Sequence, residues 1–175
     1  MTDFLIPPAE LRLPRNLALL DTNVLVAFVD ERDNLHEQAQ LFVEEEIEYA
    51  LFVAPPVVVE ACGLLASRKK EHIAWNLLAW VLTPGIVTLL PSIHPPSDTA
   101  AALREHAGWM RRHRVDYVDS YLMEVAHRLS CACDLRPGAR IVTFDTGDYF
   151  KCSRQGYRFS LYDMKDLQPV DFEQA

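Results

Sequence analysis

The sequence predicts an α/β fold, a single-domain α/β/α sandwich with a mostly parallel central sheet. Three observations carry this expectation. Short apolar runs of strand length alternate with longer stretches that keep a helical period, the pattern of parallel strands joined by crossover helices. The chain has 175 residues, 50% of them hydrophobic, which suffices for one sizeable core. No repeat, linker or low-complexity segment divides it. One domain is expected over residues 1–175, with residues 1–15 and about 168–175 as loose arms.

The elements follow in order. "NLALLD" (Asn16 to Asp21) is a short apolar run that fits a buried strand. "TNVLVAFV" then reads as a short helix, with Val24, Leu25 and Phe28 at positions i, i+1 and i+4. After the break "DERDN", Asn34 and Glu37 have the spacing of a capping box. They open a helix through "NLHEQAQLFVEEEIEY", where Leu35, Ala39, Phe42 and Val43 keep the period and Glu44, Glu45 and Glu46 form a solvated face. "ALFVAP" is a second buried strand. Pro55 and Pro56 suit a helix start, and "VVVEACGLLASRKK" continues that helix despite its β-branched valines. "EHIAWNLLAWVL" is a further helix, ending near Pro84 and Gly85. Ile86 to Leu90 make a third strand and "PSIHPPSD" a loop, from which Ser97 or Asp98 caps the helix "TAAALREHAGWMRRH". In "DYVDSYLMEVAHRLS", Val118, Leu122, Val125 and Leu129 form a core stripe. After the turn residues "RPGA", "RIVTF" is a fourth strand and "FSLYDM" a fifth.

Composition removes several classes. The start, "MTDFLIPPAELRLPRN", has an early acid and prolines where a secretory signal needs an apolar core. No stretch approaches the roughly 18 uninterrupted apolar residues of a membrane span. Four cysteines do not make a disulfide framework. Cys131 and Cys133 form a C-x-C without a second close pair, Cys62 falls in a helical pattern and Cys152 in a loop. Reduced structural thiols are expected, since a zinc site from Cys131, Cys133 and Cys152 matches none of the usual spacings. A cytoplasmic chain with no membrane contact is the expectation. The formal net charge of −8 by itself argues against a nucleic-acid partner, although a local basic strip or bound cations change that balance locally.

The acids fall in places where chemistry is done. In parallel α/β folds ligands sit at the carboxyl ends of the strands. Asp21 follows "LALL" and Asp145 follows "RIVTF". Glu60 interrupts the apolar "VVVEAC", and Asp116 and Asp119 lie three apart, on one helical face. Each has a local alternative. Asp21 and Asp116 are suited to capping the helices that follow them, and Asp145 to a turn through "DTGD". Glu60 is harder to dismiss, because glutamate is rarely buried without a partner. As a set, carboxylates gathered in one crevice repel and raise one another's pKa. A divalent cation with a preference for hard oxygen ligands removes that conflict. No Ser-His-Asp arrangement or P-loop glycine pattern competes for the crevice.

Taken in order, these blocks resemble the PIN-domain ribonucleases, and within them the VapC-like toxins and their relatives. The matching pieces run from about Asn16 to about Phe150. "LLDTNVLVAF" is similar to the family's opening strand with its aspartate, "HEQAQLF" to the helix that often follows, "VVVEAC" to the helix bearing a glutamate, "VDSYLMEVAHRL" to the third acidic block, and "IVTFDTGDYF" to the last. Two features depart from the pattern: Ser120 follows Asp119 where alanine is common, and "SCACDLRPGAR" is longer than the usual turn. The resemblance implies Mg²⁺- or Mn²⁺-dependent hydrolysis of RNA phosphodiesters to 5′-phosphate and 3′-hydroxyl products. It implies that Asp21, Glu60, Asp119 and Asp145 hold one or two ions. Thr22 and Asn23 are then orienting groups, Thr143 a hydrogen-bonding support, and Asp116 and Asp148 are secondary to Asp119 and Asp145.

Two further features bear on partners. Arg104, Arg111, Arg112 and Arg114 concentrate positive charge before the Asp119 helix and suit substrate phosphates, with Trp109 available to stack on a base. The alternative is a solvated turn with Trp109 in the core. "SRKK" is a second basic strip. In "AWNLLAWVL", Trp75, Leu78 and Leu82 share one helix face. This face suits self-association as a homodimer, or the small antitoxin with which the resembled family commonly pairs; the alternative is intramolecular core. Two rival functions remain: a regulatory protein- or RNA-binding module with a weak or idle site, and a metal-dependent phosphomonoesterase. The second expects a carboxylate two residues after its nucleophilic aspartate, where this chain has Asn23.

Overall fold

A computed structural model describes residues 14, 16–45, 48–91, 99–133, 135, 138–153 and 157–170. Strands β1 (Leu17–Leu20), β2 (Ala50–Val53), β3 (Thr88–Leu89), β4 (Arg140–Thr143), β5 (Ser160–Asp163) and β6 (Gln168–Val170) form one sheet in the order β3-β2-β1-β4-β5-β6. All neighbouring pairs are parallel except β5 with β6. The helices are α1 (Thr22–Val29), α2 (His36–Glu45), α3 (Pro55–Ser67), α4 (Glu71–Val81), α5 (Thr99–His113), α6 (Tyr117–Ala132) and α7 (Gly147–Ser153). The chain runs outward from β1 through β2 to β3, then returns through α5 and α6 to place β4 on the other side of β1. The strand order therefore reverses between β1 and β4, and the crevice beyond their carboxyl ends is the natural ligand position of such a sheet.

The core is built from the apolar runs. Every residue of β1 is buried, as are Ile141, Val142 and Thr143 of β4. A strand buried on both faces must be apolar throughout, and "LALL" is. Val118, Leu122, Val125 and Leu129 of α6 are all buried, as the helical stripe requires. Each such leucine or valine contributes about 1.5–3 kcal/mol on burial. Pro55 and Pro56 occupy the first turn of α3, where their missing N–H groups need no partner.

Some boundaries differ from expectation, each for a local reason. Helix α2 starts at His36, and Asp33 rather than Asn34 supplies the side-chain acceptor, taking the Leu35 N–H at 3.0 Å. The third strand shortens to Thr88–Leu89, an exposed pair at the sheet edge. Cys152 lies buried on the short helix α7, not in a loop. Gln168–Val170, in the segment read as an arm, pairs antiparallel with β5. The proposed caps Ser97 and Asp98 lie outside the described residues, as does Glu46. Among the described residues no helix is long and apolar enough to cross a membrane.

Candidate active site

Asp21 sits at the join between β1 and α1. Its backbone N–H donates to the Val142 carbonyl of β4 at 3.1 Å, so the parallel ladder still holds it as the strand ends. Its carboxylate accepts from the Thr22 N–H at 2.6 Å and caps α1. The capping role is therefore present, and it leaves the second oxygen turned toward β4. The second carboxylate oxygen accepts from the Thr143 hydroxyl at 2.7 Å and from the Asn23 amide at 3.0 Å.

Thr143 and Asn23 tie β1 to β4. The Thr143 oxygen accepts from the Asn23 amide at 3.0 Å and from the Asp145 N–H at 2.9 Å. The Asn23 side-chain oxygen accepts from the Phe144 N–H at 3.1 Å. Asn23 uses both ends of its amide in this way, which makes it a positioning group. Thr22 reaches the opposite way and donates its hydroxyl to Glu60 of α3 at 2.6 Å.

The other acids approach from α6 and from the turn after β4. Asp116 caps α6, accepting the Asp119 N–H at 2.8 Å. Asp119 accepts the hydroxyl of buried Tyr149 at 2.9 Å. Asp145 accepts the Gly147 N–H at 3.1 Å, which starts α7 and carries Asp148 into its first turn. One cavity of about 300 Å³ is lined by all of Asp21, Glu60, Asp116, Asp119, Asp145 and Asp148, together with Thr22 and Asn23. Asp33 and Arg68 also line it. Arg68 belongs to the basic strip "SRKK", whereas the sequence patterns do not single out Asp33 or Tyr149. The tyrosine meets Asp119 from 30 positions away, a contact no local pattern announces.

Crowded, half-dry carboxylates resist ionisation. Burial, offset in part by the Thr143 and Thr22 bonds, raises Asp21 to about 6, with Asp116 and Glu60 adding repulsion. Burial and the Asp21 and Asp116 charges push Asp119 up to about 8, against the bond from Tyr149. The Tyr149 hydroxyl is held well above its ordinary value, by burial first and then by the acids around it. This donor set, all hard oxygens with excess negative charge, fits a divalent cation of the Mg²⁺ type. Among the described residues no three His, Cys, Asp or Glu side chains form a ready-made ion cage. Several of the carboxylates instead hold protein donors of their own, as like charges do when spread around a cavity.

The predicted basic strip stands elsewhere. Arg104, Arg111, Arg112 and Arg114 are exposed, and none lines the carboxylate cavity. The Trp109 side chain lies outside what the structure describes. Trp75 of α4 and Leu82 just after it are 71% and 68% exposed, while Leu78 is half-buried and packs against the core, so the predicted face is divided between surface and core.

Comparison with known proteins places this geometry. A family model for the PIN domain matches residues 18–151, a span containing every carboxylate named above. VapC20 of Mycobacterium tuberculosis, a sarcin–ricin loop cleaving toxin, is similar in structure with a TM-score of 0.57 at 18% identity, covering 80% of this chain and 95% of that one. FitAcB from Neisseria gonorrhoeae is similar with a TM-score of 0.50 at 18% identity, covering 86% of this chain and 99% of that one. At such identities the likeness is one of fold. No curated protein matches the chain at a significant level. The family match covers most of the chain and is framed by the same strands that build the cavity: the chain belongs to the PIN domain family.

Proposed function

We propose that this protein is a divalent-metal-dependent endoribonuclease, the toxin of a toxin–antitoxin pair working in the cytoplasm. One observation carries the reading: the carboxylates of β1, α3, α6 and the β4–α7 turn line a single cavity at the sheet's switch point. In this reading Asp21, Glu60, Asp119 and Asp145 hold one or two Mg²⁺ or Mn²⁺ ions. When bound, the cation offsets the crowded negative charge, stabilises charge developing on the phosphate and lowers the pKa of water.

The chain's own residues do the positioning. Thr143 and Asn23 fix the orientation of the Asp21 carboxylate, Thr22 holds Glu60, and Tyr149 holds Asp119. Asp116 and Asp148 add negative charge at the rim and favour a cation over a bare phosphate. Water attacking phosphorus in line with the 3′ oxygen leaves a 5′-phosphate and a 3′-hydroxyl. The phosphomonoesterase reading lacks its second carboxylate, since Asn23 spends its amide on Asp21, Thr143 and Phe144. The exposed Trp75 of α4 and Leu82 just after it support a protein partner, a small antitoxin or a second copy in a homodimer.

Purified protein is incubated with single-stranded and structured RNA in Mg²⁺, in Mn²⁺ and in chelator. Cleavage is expected with either metal, to be lost in chelator and in Asp21→Asn and Asp145→Asn. Metal-dependent cutting that survives both substitutions overturns the site. Phosphate release from monoesters without RNA cleavage selects the phosphatase. No cleavage of any RNA, together with tight capture of a protein partner, selects the binding module.

A further inference from the structure

A second cleft, of about 450 Å³, is formed by the end of α1 and the turn between α3 and α4, and its walls carry Arg32, Arg68, Lys69, Lys70 and His72 against two acids, Asp30 and Glu31. Arg68 lines this cleft and the carboxylate cavity alike, so the two adjoin. Lys70 pairs with buried Asp30, which settles one charge of each sign and anchors the turn to α1. The remaining cations face solvent. Arg32 and Lys69 are exposed. Arg68 is 49% exposed, with Asp33 at 3.9 Å.

The conformation of the turn is unusual. Lys69 has φ 59°, in the left-handed region where glycine is least strained, yet the position bears a lysine. Helix α4 begins here with no side chain capping its N-terminus, and Glu71 in its first turn offsets part of the dipole's field. In a chain of net charge −8, this is a cationic cleft directly beside an anionic one.

We propose that this cleft is a backbone track for the substrate RNA, in which Arg32, Arg68 and Lys69, with His72, hold phosphates flanking the bond presented to the carboxylates. The proposal rests on the ribonuclease reading and specifies where its substrate lies. A phosphate backbone suits this wall, because Arg68 lines both the cleft and the carboxylate cavity and so joins the cations to the place where the bond would be cut. It also moves the substrate contact from the α5 arginines to the "SRKK" turn.

The test is binding of a short single-stranded RNA to the full chain, by fluorescence anisotropy in chelator, over a range of salt. For single strands each phosphate contact contributes about 0.7 to the slope of log K against log salt. Arg32→Gln combined with Lys69→Gln is expected to lower that slope by about 1.4, and affinity about tenfold or more, at physiological salt. Lys69→Gly is expected to lower the slope by about 0.7 while melting no lower than the wild type, since it relieves the left-handed lysine. Unchanged slopes in both variants overturn the track. So does a loss confined to Arg111→Gln with Arg112→Gln, or equal affinity for polyglutamate of matched charge, which would mark a site for an acidic protein. Cleavage by the wild type in Mg²⁺ is scored separately. Cleavage with unchanged slopes discards the track and keeps the nuclease, whereas reduced slopes without cleavage keep the track and discard the nuclease.

Discussion

Thr143 has one hydroxyl and three polar neighbours, and the site's alignment turns on it. Its proton goes to Asp21 while its oxygen accepts from Asn23 and the Asp145 backbone. Thr143→Val keeps the shape and removes all three bonds. It is expected to cost about 1–3 kcal/mol of stability, the penalty for buried groups left unpaired, and to slow RNA cleavage about 10–100-fold, as loss of a ligand's support does. Thr143→Ser should retain most of both, read by thermal unfolding and by cleavage kinetics. Asp119 gives the opposite sign for stability. Its pKa in the fold, about 8, lies above its ordinary 3.8, so the folded state binds its proton more tightly than the unfolded state does. Stability therefore falls as pH rises through that window. Asp119→Asn, which can still accept the Tyr149 hydroxyl, should be more stable than the wild type by about 1–3 kcal/mol above pH 8, allowing for solvent screening. The difference should close below about pH 4, and melting in chelator across that range measures it. The candidate carboxylates stood out in sequence because Asp21 and Asp145 follow strands, Glu60 breaks an apolar run, and Asp116 and Asp119 share a helical face. Tyr149 and Asp33 did not, because their relevance lies in what tertiary folding brings beside them.

At the scale of elements, the legible parts were those with strong periodicity or full burial. Strand β1 was readable because burial on both faces leaves only apolar residues, β4 by its buried Ile141 and Val142, and α6 by the period of its buried stripe. Helix α7 and strand β6 were not, being 7 and 3 residues long, too short for either period to emerge. The cap of α2 was misplaced by one residue because Asp33 and Asn34 are both good local acceptors and only the backbone path chooses between them. The join between α6 and β4 depends on a single glycine. Gly138 has φ +138°, and an added Cβ would meet the Phe159 Cα at 3.0 Å and the Ser130 hydroxyl oxygen at 3.2 Å. That hydroxyl also accepts the Ala139 N–H at 2.7 Å, just before β4 begins. Gly138→Ala is expected to destabilise the fold by about 2 kcal/mol or more through backbone strain and this close contact. A fall of less than a few degrees in the melting midpoint would show that the β4–β5 edge yields more easily than its packing indicates.

The whole molecule holds several like charges against its own stability, and a bound cation should relieve them. A ligand that binds only the folded state stabilises it by about 2.7 kcal/mol at 100 times its dissociation constant. For a chain of this length each kcal/mol raises the melting midpoint by about 2–4 °C, so saturating Mg²⁺ or Mn²⁺ should raise it by about 5–11 °C. Protons compete for the same oxygens. Asp21 at about 6 and Asp119 at about 8 are both ionised only at the alkaline end, so the shift should be largest above pH 8 and shrink steadily toward pH 5. General salt effects are separated by a potassium control at equal ionic strength, because screening acts on all exposed charges alike. The double variant Asp21→Asn with Asp119→Asn should lose the divalent shift. A divalent shift that is independent of pH and survives that double variant would mean that the ion binds elsewhere, and that the carboxylate cavity carries its repulsion for a reason other than metal.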